Sequence, residues 1–500
     1  MSQTNPSSNL VLSPFDIAMG PVYIRKLFGF GFDDATRRTE ACEALRQALS
    51  ATMIQYPFAA ASIELVAGKA PVALAHPDPS TALCPPLFAI QEITNADFPF
   101  TYEQFSTQGA PPSLLPKELF SSLPGRPEAG EVCPALGLQV NFLPDGGLIL
   151  CLAFHHTVFD GAGMTGFLGA LGANITAGRP PADCVAEAVA LERLPRRETT
   201  GPPPELSEFP EYDFSNARMP KASSASTTSR ILTFKADKLA ALRNEVAGLL
   251  QGTAHPGDFV STADCLGGLI WVAVLRARAA RLAPCATTKW AVAVNARRRL
   301  DPPLPASYAG NAVVHGLATA QVGQLLAAAH EPEINVVRVT CAASRIRQAV
   351  DAVDDAYVRK RLALFGSVPD PAEIPIASKR ALDMPNTGLD FSDWREQGAD
   401  IEFGIPGACS SKPDWVRKTW SANEGAVNFL PRRGGRKGSA GWEVLLALSV
   451  EDMEKVCSEL AVGGWACIEQ RPMHVASATP VTPGELGKHR ECKSGGQHTP

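Results

Sequence analysis

Twelve cysteines stand in the 500 residues, and no two of them form a Cys-x-x-Cys pair. That argues against a zinc finger or a dithiol redox site. Thiols scattered in this way are expected to be reduced, buried and inert. Long apolar runs are missing too. The longest, Cys265–Leu275, ends at Arg276 and is shorter than the roughly 18 residues needed to span a bilayer. The opening segment Met1–Pro14 is polar and lacks the apolar centre of a secretory signal. Together these absences lead us to expect a soluble, cytoplasmic protein. The glycosylation sequence Asn174-Ile175-Thr176 is accordingly read as chance. An excess of one charge is also lacking. A net charge of -5 gives no reason to expect a nucleic-acid or anionic-membrane partner. No internal repeat is visible.

What remains is an ordinary globular composition, 45% hydrophobic and 19% charged, long enough for two or three domains. Apolar residues at helical spacing (Cys42, Leu45, Leu49, Met53, Tyr56) predict a helix over 35–56, stopped by Pro57. Ser62–Leu65 and Val72–Ala75 read as a short strand pair. Residues 76–135, rich in Pro and Ser, resist assignment. A hairpin follows, Leu138–Leu143 and Leu148–Phe154 around Asp145-Gly146-Gly147. It delivers the chain to Phe154-His155-His156-Thr157-Val158-Phe159-Asp160-Gly161-Ala162-Gly163, and a short helix ending near Gly172 comes next.

Residues 179–228 are rich in Pro and Ser and too long for a connection inside one compact domain. We read them as a crossover between two halves, 1–178 and 229–471, with 472–500 a disordered tail. The second half opens with a strand at Ile231–Phe234 and a helix at Asp237–Leu250, whose buried face carries Leu239, Leu242, Val246 and Leu249. Ser261 and Asp264 cap a helix reaching about Leu282, apolar nearly all round and therefore buried. Further strands are expected at Lys289–Asn295, Asn311–Leu317, Asp400–Gly404, Ala426–Leu430 and Glu443–Ser449. Helices are expected within 334–364 and at Glu451–Leu460, the latter capped by Ser449 and Asp452.

Three chemistries compete for the central stretch. Gly161-Ala162-Gly163-Met164-Thr165-Gly166 matches G-x-G-x-x-G, with Asp183 where a ribose-binding acid would sit. Yet His155–Asp160 has no role in that fingerprint and no strand carries Asp183. A structural reading makes both histidines packed core residues. The third makes His156 a general base, since imidazole takes a proton from an alcohol or amine near neutral pH. On this reading Asp160 holds the local turn, and Gly161 and Gly163 permit positive φ or close approach. The motif supplies no nucleophilic Ser or Cys, so direct attack by the acceptor is the simpler mechanism.

His156-Thr157-Val158-Phe159-Asp160-Gly161 resembles the HxxxDG signature of BAHD-type CoA-dependent acyltransferases. The doubled histidine also resembles the HHxxxDG of condensation domains within the chloramphenicol-acetyltransferase-like superfamily. Asn295–Leu300, Pro302-Pro303-Leu304-Pro305 and Tyr308-Ala309-Gly310-Asn311-Ala312 resemble the R-R-PPLP-Y-GN block of fungal members, the trichothecene 3-O-acetyltransferase-like group. Asp390–Arg395, Asp400-Ile401-Glu402-Phe403-Gly404 and Lys412-Pro413 resemble the stretch holding the family's DFGWG motif, with Glu402 for Asp and Ile405 for Trp.

The resemblance implies an α/β (α+β) fold of two chloramphenicol-acetyltransferase-like domains, each a mixed sheet flanked by helices, with a tunnel at their interface. It implies acyl-CoA, with acetyl-CoA the donor, as co-substrate, a small-molecule alcohol as acceptor, no bound cofactor or metal, and a monomer. His156 and Asp160 would form the catalytic motif. Gly161, Phe403, Gly404 and a Glu402–Arg297 ion pair would be structural. The basic loop Arg297–Arg299 is a candidate for the CoA phosphates or an ion-paired loop. An amine acceptor, or a lapsed relative that only binds ligand, stays as the alternative.

Overall fold

The computed structural model describes residues 9–10, 12–66, 69, 71–74, 87–128, 130–178, 204–215, 219–220, 226–251, 259–326, 333–419, 423–435 and 439–468. Asp183 and the expected tail fall outside these.

Two large sheets organise the chain. A five-stranded sheet has the order Trp415–Arg417, Tyr23–Gly31, Gly147–His155, Leu136–Phe142, Phe88–Glu92. A seven-stranded sheet runs Val313–Gln321, Thr287–Asn295, Gly388–Asp393, Ala426–Phe429, Trp442–Ser449, Thr227–Phe234, Ala466–Ile468. Both sheets are mixed, as the resemblance implied: in the first, Phe88–Glu92 is parallel to Leu136–Phe142 while the hairpin 136–155 is antiparallel, and in the second, Gly388–Asp393 lies parallel to both its neighbours while Thr287–Asn295 and Val313–Gln321 are antiparallel. A small four-stranded sheet gathers Asn9–Leu10, Val72–Leu74, Ser62–Glu64 and Val132–Pro134.

Each large sheet has its own apolar core. Helices Arg38–Gln55 and Gly161–Ala177 close the first with Leu45, Leu49, Met53, Phe167 and Leu171. Helices Thr262–Arg278 and Val336–Asp351 close the second, with Trp271 and Ile346 in its core. Every residue from Cys265 to Leu275 is buried, as a helix apolar on all faces should be. Ser261 caps it, accepting from Asp264 N–H while Asp264 accepts from Ser261 N–H.

The halves expected at 1–178 and 229–471 exchange segments. Strand Trp415–Arg417 joins the first sheet beside Tyr23–Gly31, and Phe15 from helix Pro14–Ala18 packs in the second core. Within the expected linker, residues 204–215 are packed: Phe209 and Tyr212 are buried in the second core, and Glu211 pairs with buried Arg361.

Several expected bounds move. The helix expected to end near Gly172 runs to Ala177 and stops at Gly178, whose φ is +57°. Gly172 is a packing position instead, because a Cβ there would lie 2.5 Å from the Glu402 carbonyl oxygen. Leu249 is exposed and Leu250 takes its place on the buried face, nearer the 3.6-residue period from Val246. The strand expected at 400–404 is a loop; the strand of that region is Gly388–Asp393. Nine described cysteines are free thiols, four of them buried and three exposed. Asn174 is buried in its helix and donates to Thr52 Oγ1, which leaves no room for a glycan. Among the described residues no helix is long and apolar enough to cross a membrane.

Candidate active site

The central hairpin is buried along both strands, from Leu136 to Phe142 and from Gly147 to His155. Its second strand ends on His155, which sits opposite Tyr23 in the ladder. His156 is the first residue beyond. Its N–H donates to the Val22 carbonyl at 2.8 Å. Its own carbonyl accepts from Asn311 Nδ2 at 2.9 Å. The peptide is thus gripped from both sides, by the first sheet and by the loop that precedes Val313–Gln321.

The two histidines differ sharply. His155 is fully buried and meets the Tyr23 ring edge-on, centroids 5.1 Å apart. Among the described residues neither of its ring nitrogens has a hydrogen-bond partner. Burial, and then the neighbouring His156, push its pKa down to about 3. His156 is partly exposed. Burial lowers its pKa as well, and His315 adds to this; its own main chain, Asp160 and the Asn311 side chain push the other way. A lowered histidine pKa keeps the ring neutral at pH 7, the state a general base requires.

Asn311 fixes the main chain that carries that ring. Its backbone N–H and its Nδ2 both donate to Asp16 Oδ1 at 2.9 Å, and Nδ2 also donates to the His156 carbonyl. With the amide nitrogen so engaged, the side chain cannot flip. Asn311 Oδ1 and His156 Nδ1 are both enclosed, and among the described residues neither has a regular hydrogen bond. Nδ1 is therefore the inner nitrogen of the partly exposed ring. Asp16 is itself fixed by Ser13 N–H at the start of helix Pro14–Ala18.

Asp160 is fully buried and caps helix Gly161–Ala177, accepting from Gly163 N–H at 2.9 Å. Arg297 grips the same carboxylate bidentately, Nη1 to Oδ2 at 2.7 Å and Nη2 to Oδ1 at 2.9 Å. Ala312 N–H adds a bond of 3.0 Å to Oδ2. The remaining Arg297 donors reach the Tyr308 and Gly310 carbonyls and Asn295 Oδ1. All five guanidinium N–H groups are thereby used.

This corrects the expected Glu402–Arg297 pair. Arg297 has no donor left for Glu402, which points outward, 65% exposed, with Lys412 Nζ 3.6 Å away. Phe403 and Gly404 do shape that loop. Phe403 is fully buried against Phe28 and Phe30, its N–H and that of Gly404 donate to the Ser411 carbonyl, and Gly404 has φ +56°. The pairing also removes Arg297 from the basic loop as a phosphate ligand and leaves exposed Arg298 and half-buried Arg299.

Gly161 and Gly163 do not adopt positive φ; they admit neighbours. A Cβ on Gly163 would lie 2.2 Å from the Ala309 carbonyl oxygen, and one on Gly161 would lie 2.6 Å from Gln397 Nε2. With protein packed against both, these glycines do not cradle a pyrophosphate. Among the described residues no group of three or more His, Cys, Asp or Glu side chains is arranged to hold a metal. Neither Asn311, which stands in the Tyr308–Ala312 block, nor Asp16 signals a role in the sequence without its partners.

A model described as the transferase family matches residues 116–461, and one described as the trichothecene 3-O-acetyltransferase-like N-terminal domain matches residues 22–173. The O-acetyltransferase anaAT of Neosartorya fischeri is 29% identical over 392 residues, 68% of this chain and 74% of that protein. The communesin N16 acyltransferase cnsK of Penicillium expansum is 25% identical over 434 residues, 81% of this chain and 89% of its own. Among solved structures, F. sporotrichioides TRI101 complexed with coenzyme A and T-2 superposes with a TM-score of 0.72 at 20% identity, covering 93% of this chain and 100% of that one. At that identity the likeness carries the fold.

Proposed function

The chain belongs to the BAHD-type transferase family, and on that footing we propose that it transfers an acetyl group from acetyl-CoA to a hydroxyl of a small secondary metabolite, with His156 as general base. The observation that carries this reading is the His156 ring. It is partly exposed, its Nδ1 is enclosed, and burial lowers its pKa, which favours the neutral form. Nε2 takes the acceptor hydroxyl proton. The alkoxide attacks the thioester carbonyl, and the tetrahedral oxyanion collapses with loss of CoA, whose thiolate recovers the proton from the imidazolium. No acyl-enzyme forms, because the acceptor itself is the nucleophile.

Asp160 and Arg297 contribute by position. The carboxylate fixes the helix start after His156, and through Arg297 and Ala312 it ties that start to the loop carrying Asn311. Acyl-CoA and acceptor meet at His156 in the gap between the two large sheets. We place the enzyme in the cytoplasm as a monomer of two domains, with acyl-CoA as its only co-substrate.

Acetyl transfer from acetyl-CoA to panels of alcohols and amines tests the reading. His156→Ala is expected to lower turnover about 10²–10⁴-fold while CoA binding is retained. Normal turnover in His156→Ala, with loss in His155→Ala, would overturn the assignment of the base.

A further inference from the structure

Two lysines of the first sheet are held against the second. Lys26 lies in the strand Tyr23–Gly31, and the register that sets Arg417 opposite Leu27 brings Lys418, the next residue, level with it. Residues level with each other on antiparallel strands leave the sheet on one side, and here both meet the same ring. Lys26 Nζ lies 4.6 Å and Lys418 Nζ 5.9 Å from the centre of Trp394, which follows the strand Gly388–Asp393 of the second sheet. Each amine gives one hydrogen bond to an amide oxygen, Lys26 to Gln397 Oε1 at 2.5 Å and Lys418 to Asn428 Oδ1 at 2.8 Å. Among the described residues neither forms an ion pair.

Two cations on one ring with no carboxylate in contact hold their protons weakly. Burial pushes Lys26 down to about 7 and Lys418 down to about 8, with Asp390 pulling the latter back up. At pH 8 about half of the Lys418 amine is then free base, against under about 1% of an ordinary lysine. A desolvated lysine amine is a nucleophile. Access separates the pair. Lys26 is fully buried, whereas Lys418, just past the edge strand Trp415–Arg417, is partly exposed. Its flexible stem lets the amine move once the bond to Asn428 is given up.

The base borders the same side chains. His315 acts electrostatically on His156 and stands 3.8 Å from Asp390, which in turn acts on Lys418. From the other side, Gln397 donates its N–H to the Trp394 carbonyl and packs against Gly161, the residue after the Asp160 cap. Lys418 therefore stands at the gap in which, on the reading above, acetyl-CoA waits for an acceptor.

We propose that Lys418 is a self-acetylation site, taking the acetyl group from bound acetyl-CoA when no acceptor is present. The Nζ lone pair forms the C–N bond to the acetyl carbonyl carbon, the C–S bond breaks, and the proton shed by nitrogen leaves with CoA as its thiol. The product is an amide, which cannot return the group to CoA at a useful rate and removes the charge from the Trp394 face. The proposal rests on the acetyl-CoA reading and adds a covalent modification of the chain itself.

The full chain incubated with acetyl-CoA alone at pH 8, followed by intact mass and peptide mapping, tests it. The wild type should gain one acetyl group, mapped to Lys418, at least about tenfold faster than exposed Lys455 is labelled. Excess free CoA, competing for the donor site, should slow labelling of Lys418 and leave that of Lys455 unchanged. Lys418→Arg should lose the fast label. A label at fully buried Lys26 in its place, equal labelling of Lys418 and Lys455, or labelling of Lys418 that ignores free CoA would overturn the proposal. Should alcohols be acetylated while Lys418 stays unmodified, this inference alone falls. Should neither take the group, the acetyltransferase reading falls with it.

Discussion

Two acidic residues, Asp160 in the catalytic motif and Glu402 in the motif expected to be structural, are treated by the fold in opposite ways. Asp160 is fully buried, caps a helix and holds Arg297 bidentately. Glu402 is 65% exposed, and among the described residues its ion-pair partner is Lys412 at 3.6 Å. What separates them is where the chain puts the arginine. Asn295 ends a strand of the second sheet, and the loop after it turns back so that Arg297 and Ala312 both reach one carboxylate just beyond the end of the hairpin's second strand. A buried carboxylate keeps its charge only when it is paired and hydrogen-bonded. An exposed one is solvated by water and needs no partner. The motif around Asp160 therefore joins the two sheets, while the loop at 402 is held by its apolar residue, Phe403.

The sharpest way to break this contrast is Asp160→Ala. It removes the cap and leaves the Arg297 guanidinium buried with no counter-charge. Unpairing a buried ion of this kind costs about 3–5 kcal/mol, so soluble yield and urea midpoint should both fall along with activity. Full stability with lost turnover would mean that Asp160 acts on the chemistry directly and that the joint is dispensable.

A smaller effect sharpens the comparison, because His155 is as buried as Asp160 yet unpartnered. Its folded pKa of about 3 lies below the ordinary histidine value of 6.5, so the unfolded chain takes up a proton that the folded chain refuses. The stability involved is intact above pH 6.5 and is lost as pH falls toward 3. At pH 5 that loss is about 2 kcal/mol, from roughly 1.36 kcal/mol per pH unit over about a unit and a half. His155→Phe keeps the edge-to-face contact with Tyr23 in kind and removes the titrating group. Its urea midpoint should change less between pH 7 and pH 5 than that of the wild type, by an amount corresponding to about 2 kcal/mol. An unchanged pH dependence would show that His155 finds a proton acceptor in the folded state.

The same contrast explains what could be read from the sequence. The hairpin, the fully apolar helix at 262–278 and the cap at Ser261 were legible because each is local: alternation, periodicity and a hydroxyl three residues before an acid. The strand Gly388–Asp393 was missed. It lies in parallel between two strands from distant parts of the chain, and its sequence Gly-Leu-Asp-Phe-Ser-Asp carries only two apolar residues. His156, Asp160 and Arg297 were legible as residues, but the Asp160–Arg297 pair was not, because it spans 137 positions and depends on how the sheets meet. Asn311 was hidden for the same reason. Its role exists only where Asp16, 295 positions away, and His156 meet it.

The smallest expected effect is also the most direct check on the reassigned arginine. Glu402→Gln removes a charge whose cationic neighbour among the described residues, Lys412, is itself a third exposed. Exposed pairs at such distances contribute between nothing and about 1 kcal/mol, and solvent screens them further. The variant should therefore unfold within about 0.5 kcal/mol of the wild type, with turnover intact. If Glu402 were the true partner of Arg297, the same substitution would leave a buried guanidinium short of charge and would cost several times more. A loss as large as that of Asp160→Ala would reverse the two roles; a midpoint that does not move fixes Phe403, and not the acid beside it, as what the loop contributes. Phe403→Ala supplies the counterpart. Emptying the fully buried ring site against Phe28 and Phe30 should cost about 3–5 kcal/mol, so adjacent positions in one loop should differ by nearly the whole of that amount.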